Sequence, residues 1–303
     1  MNAGTASGPR VGCSLFPSFP GAVPELADLL DFVEIGPDTL CREVERGGRT
    51  ALTFVPSLLG DALDAVGDLD VVVHGLELSI GTADGWNSAY VDMLDEFAGR
   101  CGFAWHSEHL GFLFARTGSG HRRRIRHAGV PLPMPFTQET VDVVAPRARA
   151  LATRYGRPFL LENAAYYLPD LPADAGWDEA ELLARLVEAA DCHLLLDLFN
   201  LHVNATNHGL DVADLLGRIP LDRVVEIHVA GGDEAAGFLL DSHSAVVPDE
   251  VWSLLRWTLD RAPNVAGVVY EVLETHLPQV GLAAVRSQLE QLRSVCASAA
   301  VTA

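Results

Sequence analysis

Cysteine is sparse and unpaired in this sequence. Cys13, Cys41, Cys101, Cys192 and Cys296 are odd in number, widely scattered and include no C-x-x-C. That excludes a disulfide framework and a zinc ribbon, and leaves most of them to act as small buried hydrophobes. Basic residues are also scarce, 21 Lys and Arg against 41 Asp and Glu, for a formal net charge of -20. A polyphosphate partner needs a basic surface to displace counterions, so nucleic acid is not an expected partner. The acidity otherwise favours solubility and repulsion from anionic surfaces. No apolar stretch approaches the ~18 residues of a membrane span. The opening MNAGTASGPR holds no apolar core of the kind a secretory signal carries. The expected compartment is the cytoplasm, without membrane contact. Neither G-x-S-x-G nor G-x-x-x-x-G-K-[ST] occurs, so serine-nucleophile hydrolysis on a strand–helix elbow and P-loop phosphate chemistry have no support.

What the chain does have is apolar material for one large core: 303 residues, 49% of them hydrophobic. Eight short apolar runs recur, at Val11–Pro17, Phe32–Gly36, Val71–Gly75, Phe103–His109, Pro158–Asn163, Cys192–Asn200, Val224–Ala230 and Val268–Leu273. Runs such as VVVHG, PFLLEN and HLLLDL are nearly continuous in Val, Leu and Ile, as in strands buried on both faces. Helical patterns lie between them at Tyr90–Arg100, Thr137–Tyr155 (with Pro146 inside), Asp178–Ala190, Pro248–Arg261 and Leu282–Val295. Strands alternating with helices indicate a parallel α/β fold, and eight is the closing number of a TIM-like (β/α)8 barrel. A doubly wound open sheet is the second choice, weakened because no G-x-G-x-x-G follows the first run. The expected organisation is a single barrel domain over 11–296, with a disordered tail at 1–10 and another tail at 297–303. Two long loops are expected. Phe112–Pro135 carries the basic tract HRRRIRH, suited to gripping an acidic peptide or a carboxylate, and Ala230–Val247 carries Asp241-Ser242-His243.

In such a barrel, chemistry gathers where strands end and βα loops begin. There the sequence has His74, His109, Glu162, Asp197 with Asn200 three residues on, His228, the loop pair Asp241 and His243, and Glu271. Any one of these by itself reads as a loop cap or a satisfied core residue. Convergence of several imidazoles and carboxylates around one mouth is costly unless they are paired or hold metal. Mixed imidazole and carboxylate without thiolate suits Fe, Mn, Co or catalytic Zn, and disfavours structural zinc or an iron–sulfur cluster. The set exceeds what one ion needs, and Glu162 has two oxygens with which to bridge a pair. Glu34, Asn163, His202, His208 and Arg123 are candidates for supporting or substrate contacts. A turn role for Asn207-His208-Gly209, a solvated carboxylate for Glu34 and a solvated loop for the Arg123 tract compete with that reading. His106 is expected to face the helices, and His193 opens its strand at the end away from the site.

The stretches VVVHGLELSIG, HSEHLGF, PLPMPFTQE, RPFLLENAAYYL, LLLDLFNLHVNATNHG, EIHVAGG, LLDSHSAVVPDEVW and YEV, in this order, cover most of the chain. Together they resemble the multinuclear non-haem iron-dependent oxidases, relatives of the oxidase that modifies the methanobactin precursor peptide. The resemblance implies a TIM-like barrel with two or three iron ions in mixed Fe(II)/Fe(III) states. It also implies O2 as co-substrate, a ribosomally synthesised precursor peptide whose cysteine is oxidised, and a partner protein that binds the precursor's leader. Carried over by motif, it implies one iron on His74, His109 and Glu162. A second falls on Glu162, Asp197, His228 and Glu271, and a third on Asn200, Asp241 and His243. Phe199-Asn200 stands where the family often has two asparagines, His202 where it often has tyrosine, and the 112–135 segment departs from the usual pattern. The alternatives are a divalent-metal sugar isomerase or endonuclease-IV-like hydrolase on the same barrel, and a metal-dependent scaffold without catalysis.

Overall fold

In the computed structural model, which describes residues 8–117 and 124–299, the apolar runs are eight parallel strands closed into a ring. They are β1 (Arg10–Ser14), β2 (Phe32–Ile35), β3 (Asp70–Gly75), β4 (His106–His109), β5 (Phe159–Glu162), β6 (His193–Asp197), β7 (Val224–Val229) and β8 (Gly267–Tyr270). Each pairs with its neighbours in order, and β8 returns to β1 with Val11 opposite Val268. This is the single-domain TIM-like barrel expected from the alternation of strand and helix signals.

The strands are apolar on both faces because two separate cores need them. Val33, Ile35, Val71, Val73, Leu161, Leu196, Ile227 and Tyr270 face out and pack under the helices. Phe32, Val72, Trp105, Leu160, Leu195 and Val269 face in and form a plug inside the ring. Successive side chains alternate across a strand. The residue two positions beyond each plug residue therefore faces in as well, one layer nearer the mouth. Those residues are Glu34, His74, Ser107, Glu162, Asp197 and Glu271.

The helices at Ser88–Ala98, Gln138–Tyr155, Glu179–Ala190, Asp249–Leu259 and Leu282–Ala299 fall on the predicted patterns. Thr137 and Asp178 cap theirs by accepting from the N–H of Thr140 and Glu181. Several expectations are corrected. β6 stops at Asp197, whose carboxylate accepts from Asn200 N–H and starts a helix over Leu198–His208. Asn200 and His202 are thus helical, and His208 closes the helix before left-handed Gly209. The expected loop at Phe112–Pro135 is a ribbon of Gly111–Thr117 against Arg124–Pro133. Ser79 Oγ pins its inner edge by accepting from Leu113 and Phe114 N–H. A second hairpin (Cys41–Arg46 with Arg49–Phe54) and a helix at Pro56–Val66 carry weak patterns and went unread. β1 begins at Arg10 and the last helix reaches Ala299, so regular structure extends into both expected tails. Among the described residues, no helix is long and apolar enough to cross a membrane.

The plug is tight. A Cβ on Gly12 would lie 2.5 Å from the Phe32 ring, and one on Gly267 2.8 Å from the same ring. With glycines on two neighbouring strands and Trp105 edge-on at 5.7 Å, the ring has no free side to move to. Gly12→Ala is expected to destabilise the protein by about 1–3 kcal/mol through overpacking, read as a lower midpoint in urea unfolding.

Candidate metal centre

Strand alternation brings His74, His109, Glu162, Asp197, His228 and Glu271 inward at the carboxyl ends of their strands. The helix after β6 adds Asn200, and the loop after β7 adds Asp241 and His243. Three overlapping groups have ligand atoms within 4.8 Å of one another: His74, His109 and Glu162; Glu162, Asp197 and His228; Asp197, His243 and Glu271. Glu162 Oε2 is 3.4 Å from His74 Nε2 and 3.3 Å from His109 Nε2, while its Oε1 is 3.9 Å from His228 Nδ1. Glu271 lies 2.9 Å from His228 Nδ1 and 3.3 Å from His243 Nδ1, and Asp241 lies 2.6 Å from His243 Nε2.

These contacts are close but mostly lack the alignment of hydrogen bonds. His74 Nε2, Glu162 Oε2, Asp197 Oδ2, Asn200 Oδ1, His228 Nδ1, Asp241 Oδ1 and His243 Nε2 are all buried without a hydrogen-bond partner. Buried polar atoms are normally satisfied, and an orphan costs about 1–3 kcal/mol. Orphans on seven residues, converging from different elements, fit cations held between them. The donor set is imidazole, carboxylate and one amide oxygen.

Neighbours fix the orientation of the donors. Ser107 Oγ donates to Val73 O at 3.2 Å, so it accepts from His74 Nδ1 at 3.0 Å, and the lone pair of His74 is left on Nε2 facing the centre. Glu34 Oε2 takes the other nitrogen of His228, Nε2, at 2.9 Å, and Ser14 Oγ donates to Glu34. Glu34 thus stands behind the centre, supporting a donor. Below it, Trp105 Nε1 donates to Glu226 at 2.7 Å. Asn163 straddles Asp197, accepting from its N–H at 2.8 Å and donating to its carbonyl at 3.0 Å, and its own carbonyl accepts from Asn200 Nδ2.

Burial and mutual repulsion set the charge states. Burial pushes Asp197 up to about 7 with Asp241 adding to it, against the pull of His243 and His228. Glu162 is raised well above the usual range by burial, with Asp197 and Glu271 adding to it against His228. His74 is held well below the usual imidazole value by burial, then by His109 and His228. Burial opposes charge on His228 and His243, but neighbouring carboxylates, Glu34 and Glu271 for the first and Glu271 and Asp241 for the second, raise both. Burial raises Glu271 too, yet His243 and His228 outweigh it and hold it well below the carboxylate range.

His202 and His208 are not among these donors. His202 is half-buried with its ring near Phe199, and His208 stacks on Tyr166 and contacts its carbonyl at 2.9 Å. Arg123 lies outside the described residues. His106 faces out, as expected, bonded to Tyr90 Oη. Reading the sequence missed Ser107, Glu226, Asn204 and Tyr167 as supports. For Asn204 a signal existed, since it stands four residues after Asn200 on one helix face. Asn204 accepts from Tyr166 N–H and donates to Ala164 O and to the buried Glu179.

A closed parallel α/β barrel whose mouth gathers clustered His, Asp, Glu and Asn donors defines a class of barrel protein able to hold metal ions. The chain belongs to the family described as RiPP precursor modification enzyme MbnB/TglH/ChrH, whose model matches residues 10–296. A UPF0276 protein of Caulobacter vibrioides is 33% identical over 242 residues, 80% of this chain and 79% of that one. Another, of Acaryochloris marina, is 38% identical over 191 residues, 63% of this chain and 66% of its own length. Among solved structures, endonuclease IV from Thermus thermophilus is similar with a TM-score of 0.55 and 21% identity, over 95% of this chain and 98% of that one. A sugar phosphate isomerase/epimerase from Parabacteroides distasonis has a TM-score of 0.54 and 13% identity, over 97% and 98%. At such identity these two speak for the fold alone.

Asn163→Ala leaves the N–H and carbonyl of Asp197 unpaired in a buried place. It is expected to destabilise by about 1–3 kcal/mol for each orphaned group, measured by chemical denaturation. Burial pushes Glu179 up to about 8, against the hydrogen bond from Asn204, from an ordinary value of 4.5. Between those values the folded state keeps a proton that the unfolded chain has released, so this group's contribution falls as pH rises through the window. Glu179→Gln is expected to flatten the loss of stability between pH 4.5 and about 8, seen by comparing denaturation midpoints across that range.

Proposed function

We propose that this protein is an O2-dependent oxidase that uses two or three iron ions, in mixed Fe(II) and Fe(III) states, to modify a cysteine of a ribosomally synthesised precursor peptide. The observation that carries this reading is the fused donor set, in which Glu162 is shared between the His74–His109 group and the Asp197–His228 group. A set that shares carboxylates serves adjacent ions, whereas a single-ion site needs no such sharing. In this reading His74, His109 and Glu162 hold one ion. Glu162, Asp197, His228 and Glu271 hold the next, and Asn200, Asp241 and His243 hold a third. Bound iron supplies Lewis acidity toward a substrate thiol and one-electron redox chemistry with O2.

The chain's own residues do the rest. Ser107 and Glu34 aim His74 and His228, and Asn163 holds Asp197, so the donors are in place before substrate arrives. The plug below Glu34 and His228 keeps water from reaching the centre from beneath. Burial pushes the thiols of Cys13, Cys41, Cys192 and Cys296 up to about 12, which makes them poor thiolates. The oxidisable sulfur is accordingly the substrate's. Phe19, Leu76, Leu132, Tyr167, Phe238 and Leu273 are exposed, each on a segment that follows a barrel strand at its mouth end. This apolar rim suits an extended peptide and the partner protein that presents its leader. The net charge of -20 gives a nucleic acid no comparable footing. The family match supports a peptide substrate over the sugars and nucleic acids of the fold neighbours.

Protein purified without O2 and reconstituted with Fe(II) is expected to hold at least about two irons per chain. It is expected to consume O2 with a cysteine-containing peptide encoded beside its gene. Glu162→Ala should lose iron and slow turnover by about 100-fold or more. Iron below one per chain, full activity of Glu162→Ala, or turnover of sugar or nucleic acid on Zn or Mn without O2 overturns the reading.

A further inference from the structure

Of the nine donors, Asp241 and His243 alone sit on a loop, and the loop is held in an unusual shape. Its base is closed by a bridge between Gly231 and Ala245, with Gly231 O accepting from Ser244 and Ala245 N–H. A Cβ on Gly231 would lie 2.1 Å from Val246 O, so the closure needs glycine there. Inside, Asp233 accepts from Ser244 Oγ, which touches Ser242 Oγ, which accepts from Asp233 N–H. His243 sits at φ 45, in the left-handed region, and its carbonyl accepts from Leu273 N–H. Such a backbone persists only when its surroundings hold it.

The holds on the Asp241 backbone come from elsewhere. Its N–H donates to Tyr167 Oη at 2.8 Å. Tyr167 stands on the segment after β5, four residues past Asn163, and reaches across to the loop after β7. Its ring is exposed at the mouth and meets Phe238 edge-on at 6.2 Å. The phenol oxygen thus joins the β5 segment, which carries Glu162 and Asn163, to the loop that carries the last two donors.

We propose that Tyr167 is a positioning residue for the third ligand group: its phenol oxygen holds Asp241, and through it His243, in register with Asn200. The proposal rests on the metal-centre reading above. Packing of the ring against Phe238 and the hydrogen bond to Asp241 are separable, because Tyr167→Phe keeps the ring and removes only the oxygen.

Two measurements test it. Hydrogen exchange in the metal-free protein reads the loop itself, and anaerobic Fe(II) titration reads the consequence. Tyr167→Phe is expected to speed exchange of the Asp241 segment by about fivefold to tenfold. It is also expected to weaken the last-bound iron by about tenfold while leaving the tighter iron unchanged. Phe238→Ala, which removes the ring contact alone, is expected to leave both readouts as in the wild type. Unchanged exchange or unchanged iron binding in Tyr167→Phe overturns the assignment, as does an equal loss of every iron. Wild-type protein that takes up no iron overturns the metal-centre reading and this assignment with it. Normal wild-type loading with an inert Tyr167→Phe overturns this assignment alone.

Discussion

Along each strand of this barrel, side chains point alternately inward and out to the helices, and the ring is too narrow for an inward residue to avoid the others. Strand after strand has an apolar residue and, two positions on, a polar one: Phe32 and Glu34, Val72 and His74, Leu160 and Glu162, Leu195 and Asp197, Val269 and Glu271. The first of each pair builds the plug and the second joins the layer above it. No loop has to be shaped for these residues to meet, because closure of the barrel does it. Five elements therefore deliver donors with the rigidity of a sheet.

The same constraint explains what could be read without a structure. The eight strands stand out because burial on two faces forces long Val, Leu and Ile runs, and the inward polar residue falls at the end of each run. The nine donors follow from those two signals together with the motif order. What escaped depends on side chain meeting backbone across long separations: Ser107 on His74, Asn163 on Asp197, Tyr167 on Asp241. A serine or asparagine that serves a distant main chain has no local period to betray it. The helix after β6 was hidden for a different reason. Asp197 ends a strand and caps a helix in one residue, so the apolar run passes from one element to the next without a break.

Electrostatics tie the donors to each other more strongly than to the solvent. Carboxylates at Glu162 and Asp197 are driven toward protonation, while Glu271 between two imidazoles is driven the other way. A cluster whose members pull in opposite directions is poorly served by protons, which can satisfy one atom at a time. A divalent or trivalent ion faces several lone pairs at once and answers the orphaned atoms together. The supports behind the centre make sense in that light. They settle which nitrogen of each imidazole is free, a choice that protons alone would leave open.

The plug of Phe32, Trp105 and their neighbours also gives the molecule a floor. Glycines at positions 12 and 267 let the Phe32 ring close against the strands, with no gap for a chain to pass. The donors are consequently reached from one side only, and whatever arrives there leaves by the same door. A polypeptide cannot be drawn through this barrel and scanned residue by residue. It must dip in as a bend or an end, be altered at the one position that touches bottom, and back out, so that sequence around the altered residue is read on the rim rather than in the hole.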